Sequence, residues 1–182
     1  MQIRALLDFL KKPEYVADPD PSVRTLGILL MWTLVISLFL AILIGVISDL
    51  GPWNLEEHAL DELFEKYSTI TIFFIGCVLA PVIEELIFRG PLWFFRDSRI
   101  FPWVFYGFTL AFALVHLSNY PNLSEIWPLA PLLISPQLNI GVFLGFVRIR
   151  FGLLWSILFH AVYNTVVLGP ILLLHELGIS LS

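Results

Sequence analysis

Twenty-four consecutive residues, Thr25 to Ser48, carry no charge. A helix of that length crosses the roughly 30 Å hydrocarbon core of a bilayer. The pattern recurs down the chain. Ser68–Phe95 is apolar apart from Glu84, Glu85 and Arg89, and Ile100–Ser118 holds a single histidine. Trp127–Val147 is uncharged but broken by Pro128, Pro131 and Pro136, and Phe151–Leu174 holds one histidine and a late Pro170. The expected fold is all-α: a polytopic transmembrane helix bundle of about five spans plus interfacial helices. The stretch after Pro136 is too short to cross alone, so the fourth span is expected to enter irregularly or as a re-entrant segment. Charged residues make up 14% of the chain, against roughly a quarter in soluble domains. A soluble fold of 182 residues has no room to hide the apolar remainder. The net charge of -5, without a basic stripe, argues against nucleic acid as a partner. Cys77 is the only cysteine, which excludes an intrachain disulfide and a multi-cysteine metal site.

Lysine and arginine set the expected orientation. Arg4, Lys11, Lys12 and Arg24 precede the first span, Arg96 and Arg99 lie between the second and third, and Arg148 and Arg150 between the fourth and fifth. The other two connections together carry Lys66 alone. With five spans this puts the N-terminus in the cytoplasm and the C-terminus outside. The acidic residues Asp49, Glu56, Glu57, Asp61, Glu62 and Glu65 gather on the outer side and read as a solvated face. The first span starts too late, runs too long and lacks the cleavage pattern of a signal peptide, so it is expected to be a retained anchor. The chain is expected to divide into a cytoplasmic amphipathic segment at 1–24, a first transmembrane anchor at 25–48 and a membrane core at 68–174. In the first of these, Ile3, Leu6, Leu7 and Leu10 form an apolar face, which suits a helix lying on the membrane surface. Asn54 is placed to cap a second helix, Leu55 to Tyr67.

Ionisable residues inside spans are costly and are functional candidates by default. Glu84 and Glu85 are neighbours, about 100° apart on a helix, so they face different surroundings. Arg89 follows Glu85 by four residues, the favoured order for an ion pair, which makes Glu85 the structural partner. Glu84 is left without a local counter-charge and suits a general base. Pro81, just upstream, frees a backbone carbonyl and predicts a kink. His116 ends the third span. His160 and Asn164 lie one turn apart on the fifth, able to donate together to an oxyanion or to act as hydrogen-bonding glue between helices. With helices rising about 1.5 Å per residue, Glu84, His116, His160 and Asn164 can share one pocket near mid-depth.

Taken in order, these residues spell EExxxR (Glu84 to Arg89), FxxxH (Phe112 to His116) and HxxxN (His160 to Asn164). This arrangement resembles the CPBP family of CAAX prenyl endoproteases and bacteriocin-processing, Abi-like proteins, over roughly Ser68 to Val167. Ala80-Pro81 before the glutamates, Gly90 after Arg89, and Arg150-Phe151-Gly152 before the last motif extend the likeness. The resemblance implies an intramembrane endopeptidase acting on a membrane-associated or lipidated peptide or protein. By the same resemblance Glu84 and His116 activate a water, His160 and Asn164 hold the oxyanion, and Glu85 and Arg89 support the site. Family naming as a metalloprotease implies a divalent metal such as zinc on Glu84, His116 and His160. A metal-free mechanism is favoured instead, because no HExxH is present and asparagine is a poor zinc ligand. Two other readings stand beside the protease: a non-proteolytic membrane scaffold or immunity protein of the same family, and a proton path, which the lack of any repeat disfavours. Small size and the family's distribution point to a bacterial plasma membrane.

Several other features have ordinary explanations. His58 and Glu62 are read as a solvated helix, His175 as an interfacial residue and Asp97 as a loop charge. Gly141 and Gly145 form a GxxxG, read as packing within the chain, and Trp53 and Trp127 as belt residues.

Overall fold

The computed structural model describes residues 2–18, 22–51, 59–120 and 123–179. His58, Asn54 and Trp53 lie outside these, as do the side chains of Asp61 and Glu62. Among the described residues every regular element is helical. A short α1 (Gln2–Lys11) leads into the long α2 (Val23–Leu50), capped at its start by the Ser22 hydroxyl, which accepts from Thr25 N–H at 3.1 Å. Next come α3 (Ala59–Lys66) and α4 (Thr69–Phe74). From α4 the chain passes through one turn of π-helix at Ile75–Leu79 into α5 (Ala80–Phe88) and a 3-10 segment at Gly90–Phe95. The third long helix, α6 (Phe101–Val115), ends in a 3-10 turn at His116–Asn119. Short pieces α7 (Leu123–Ile126) and α8 (Ala130–Leu133) precede α9 (Ser135–Phe151), and α10 (Leu153–Glu176) follows.

Among the described residues four helical stretches are long and apolar enough to cross a membrane: Val23–Leu50, Thr69–Phe95, Phe101–Asn119 and Leu153–Glu176. A fifth is the broken pair Leu123–Leu133 and Ser135–Phe151, bent by 43°. Prolines explain the break. Pro128, Pro131 and Pro136 each stand in the first turn of a new helical piece, the position that tolerates a missing N–H. The irregular fourth span expected from these prolines is what forms. α9 is the innermost helix, buried along Phe143 to Ile149 and packed against α2, α6 and α10.

Glycine decides how closely α9 and α6 approach. A Cβ at Gly145 would stand 2.5 Å from Phe105 Cε2, and one at Gly141 would meet Thr109 Cγ2 at 3.2 Å and Phe112 Cδ1 at 3.3 Å. The GxxxG is therefore a packing face inside the chain. Gly152, at φ 99°, makes the reversal from α9 to α10 that an L side chain resists.

Two details differ from the sequence reading. α1 docks on the bundle: Leu6 and Phe9 are buried, while Leu7 is 54% exposed. The aromatic side chain displaces Leu7 because Phe9 packs edge-on against Phe105 and Phe146, at centroid distances of 5.0 and 5.3 Å. The Tyr106 hydroxyl also donates to the Leu10 carbonyl. Arg148, counted above as a loop cation, is buried inside α9 instead.

Candidate active site

The second span does not run as a uniform helix into its two glutamates. Ala80 N–H bonds to Ile75 O, a residue further back than α-helical geometry requires. In this register the donor due to Gly76 O would come from residue 81, which is proline and has none. The orphaned carbonyl is met from outside: Asn164 Nδ2 donates to Gly76 O at 2.7 Å. The proline effect expected from sequence thus takes the form of a π-turn, and one of the motif residues closes it.

One turn beyond Pro81, Glu84 and Glu85 diverge as the helix dictates. Glu85 is fully buried and Glu84 is partly exposed, at 26%. Arg89, also buried, holds Nη1 3.2 Å from Glu85 Oε1, so the pair read from the i, i+4 spacing forms. It is an ionic contact without hydrogen-bond alignment. Arg89 Nη2 reaches Gly141 O at 3.5 Å, and its guanidinium lies 3.9 Å from the centroid of the Phe112 ring.

α10 contributes a polar stripe at Ser156, His160 and Asn164, one turn apart each. Ser156 Oγ stands within hydrogen-bond reach of Glu85 Oε2 and 3.0 Å from the Leu144 carbonyl. His160 is buried between the two carboxylates, with Nδ1 3.1 Å from Glu85 Oε1 and Nε2 3.7 Å from Glu84 Oε2. Since a carboxylate only accepts, the first contact puts a proton on Nδ1 and turns Nε2 toward Glu84.

His116 caps the end of α6. Its Nδ1 lies 2.8 Å from Phe112 O, a carbonyl that also only accepts, so Nδ1 carries the proton and Nε2 is left as the accepting nitrogen. The Phe112 ring joins the parts: its centroid is 4.8 Å from that of His116 and 5.9 Å from that of His160. Glu84, Glu85, Arg89 and His160 are thus connected by direct contacts, Asn164 stands one turn along α10 from His160 and bonds to Gly76 O instead, and His116 meets the cluster across one aromatic ring. Asn164 also lines a cavity of about 550 Å3 with Ser37, Gln137 and Tyr163, open between α2, α9 and α10.

Among the described residues no three His, Cys, Asp or Glu side chains are grouped so that they could hold a metal ion. The zinc set Glu84, His116 and His160 is not among such groups; His160 holds Nδ1 on Glu85 and His116 holds Nδ1 on Phe112 O, so Nε2 is the ring nitrogen each has left. The metalloprotease label gains no support from this grouping, and no step below runs through a metal.

Three participants escaped the sequence reading. Ser156 had a signal, its place one turn before His160. Arg148 donates from Nε to Arg89 O at 3.2 Å and from Nη1 to Tyr15 Oη at 3.0 Å. Gly76 contributes only its carbonyl, which no side-chain pattern reveals.

A family model described as type II CAAX prenyl endopeptidase, Rce1-like, matches residues 66–166. No curated protein matches the chain, and no solved structure does. The matched region is more than half of the chain and contains Glu84, Glu85, Arg89, His116, His160 and Asn164. The protein, an integral bundle of apolar helices, belongs to the type II CAAX prenyl endopeptidase Rce1-like family.

Proposed function

We propose that the chain hydrolyses a peptide bond in a membrane-associated or lipidated peptide or protein, using Glu84 and His116 on the water and His160 and Asn164 on the oxyanion. The observation that carries this reading is the setting of His160: buried, fixed at Nδ1 by Glu85 and aimed at the one partly exposed carboxylate of the cluster. A side chain held in that way is oriented before substrate arrives, which is what electrostatic stabilisation of a developing charge requires.

The steps follow from the groups available. Glu84, assisted by Nε2 of His116, takes a proton from water as its oxygen attacks the scissile carbonyl carbon. The new C–O bond forms and the carbonyl electrons move onto oxygen. In this reading His160 is the imidazolium, with one proton on Nδ1 toward Glu85 and one on Nε2, and the oxyanion accepts from that Nε2–H and from the second amide hydrogen of Asn164, the first being held by Gly76 O. Collapse of the intermediate breaks the C–N bond, and the departing amine takes the proton from Glu84. Glu85, Arg89 and Ser156 touch no reacting atom; they hold His160. In this reading the core at 68–174 carries the chemistry, the N-terminus is cytoplasmic, and the host is a bacterial plasma membrane.

The test is cleavage of a prenylated peptide by the full chain in lipid nanodiscs. Glu84→Gln is expected to lower kcat by about 10²–10⁴-fold with the protein still folded. Undiminished turnover by a folded Glu84→Gln protein would remove Glu84 as the base. A second reading, the non-proteolytic scaffold, draws on Asn164, whose amide is already bonded within the protein. It predicts that Glu84→Ala leaves the cellular function unchanged while the protein accumulates normally.

A further inference from the structure

The cavity of about 550 Å3 between α2, α9 and α10 touches the catalytic cluster at one point, Asn164. Ser37, Gln137 and Tyr163 are its other polar lining residues, and the rest of the wall is apolar. Leu38, 63% exposed, and Val166, 46% exposed, put its mouth on the lipid-facing side of the bundle.

The polar groups of this wall do not satisfy one another. Ser37 is buried midway along the 28-residue α2, away from bulk water. Its Oγ accepts from Asn139 Nδ2 at 2.9 Å and is bonded to the Tyr163 hydroxyl at 2.8 Å. Asn139 is spent, since Nδ2 also donates to Thr33 O at 2.9 Å. The Ser37–Tyr163 pair holds two hydroxyl hydrogens and one bond joins them, so one hydrogen is left over whichever oxygen carries it. Among the described residues that hydrogen has no acceptor. Gln137 adds a whole amide, half-buried and without a hydrogen-bond partner among the described residues. Asn164 adds the amide hydrogen that Gly76 O does not take. Polar groups left unbonded in apolar surroundings are costly, and these three line one cavity.

Their chemistry selects the occupant. An acyl or prenyl chain fills apolar volume and bonds to none of them. A transmembrane helix has already spent its backbone groups internally. An extended peptide carries an N–H and a C=O on each residue. A glutamine side chain meets both at once, donating from Nε2 and accepting at Oε1. The volume lies in the range of pockets that hold small ligands. We propose that this cavity holds the extended stretch of substrate beside the scissile bond, with Gln137 paired to its backbone and the Ser37–Tyr163 hydroxyls donating to a carbonyl. The proposal rests on the catalytic reading of Asn164 given above. Ser37 lies outside residues 66–166, so α2 supplies a wall that the family region does not contain.

The experiment measures binding apart from cleavage. A fluorescent prenylated peptide, its scissile amide reduced to a methylene-amine, is titrated into the full chain in nanodiscs and followed by anisotropy. Gln137→Leu is expected to raise Kd by about ten-fold, and Gln137→Met, which keeps the length of the side chain, by a similar factor. Neither change removes a bond within the described protein. Each backbone N–H of the peptide is then methylated in turn. At one position beside the scissile bond the methyl group is expected to weaken binding about ten-fold in the parent and less than about two-fold in Gln137→Leu. An unchanged Kd in both variants, or methylation costs equal in parent and variant, overturns the proposal; cleavage of the unreduced peptide by the parent then leaves the protease reading standing. Displacement of the peptide by free farnesol, with equal methylation costs, assigns the cavity to a lipid chain and also overturns it. Gln137-dependent binding of a peptide that the parent does not cleave supports the peptide site and removes the protease reading instead.

Discussion

Removing Arg89 tests whether the Glu85–Arg89 pair organises the bundle or merely occupies it. Both side chains are buried, at 2% and 0% exposure. Deleting one member of a buried pair typically costs about 3–5 kcal/mol, because the other charge is left uncompensated. Here Glu85 keeps His160 and Ser156 as partners, which places Arg89→Met near the low end. Loss of the Phe112 contact at 3.9 Å and of Gly141 O adds to it. A destabilisation of about 3–4 kcal/mol is expected for Arg89→Met and about 3 kcal/mol for Glu85→Gln. Combined, they remove both charges and leave a neutral, shape-matched site, so the double variant is expected to cost about as much as either single change. That corresponds to a coupling of about 3 kcal/mol. Unfolding of the purified chain by dodecyl sulfate in mixed micelles, followed by tryptophan fluorescence, measures all four proteins. If the single effects add to within about 0.5 kcal/mol, the two side chains are energetically independent and the organising role assigned to the pair is wrong.

Other outcomes follow from the same geometry. Pro81→Ala returns an N–H that Gly76 O can use. The cost of Asn164→Leu, about 1–2 kcal/mol for leaving a half-buried carbonyl without its donor, is therefore expected to shrink in the Pro81→Ala background, as measured by the same unfolding titration. Gly145→Ala drives a Cβ into the buried Phe105 ring and is expected to cost about 1–3 kcal/mol, with Gly141→Ala milder because its neighbours stand at 3.2 Å or more. Cleavage activity in nanodiscs is expected to survive exhaustive chelation; inhibition rescued by stoichiometric zinc would restore the metal on Glu84, His116 and His160.

What could be read in advance was whatever one helix encodes by itself. Spans followed from charge gaps, and the Glu85–Arg89 pair from spacing within a single helix. The alignment of His160 with Asn164 was legible for the same reason. Contacts between elements were less so. Arg148 looked like a loop cation because only packing reveals that Tyr15 and the Arg89 carbonyl receive it. Phe9 displaced Leu7 on α1 because the rings of Phe105 and Phe146 lie opposite, and those come from helices far along the chain. The bond from Asn164 to Gly76 O needed the π-turn, which Pro81 hinted at without fixing its register.

That turn sets the rotational phase of everything after it. A π-turn amounts to one extra residue in an α-helix, and one residue is about 100° of azimuth. Deleting one residue from Ile75–Leu79 would let the span continue as plain α-helix with its downstream half left in nearly the same direction, because the turn holds one residue more than the rotation needs. Recasting the turn as α-helix with every residue kept would instead rotate the downstream half by about one residue's angle, so that Glu84 would take the direction now held by Glu85, and Ile83 that of Glu84. The extra residue works like the index mark on a dial: it selects which of two adjacent carboxylates looks inward, and the register of one turn would reassign them both.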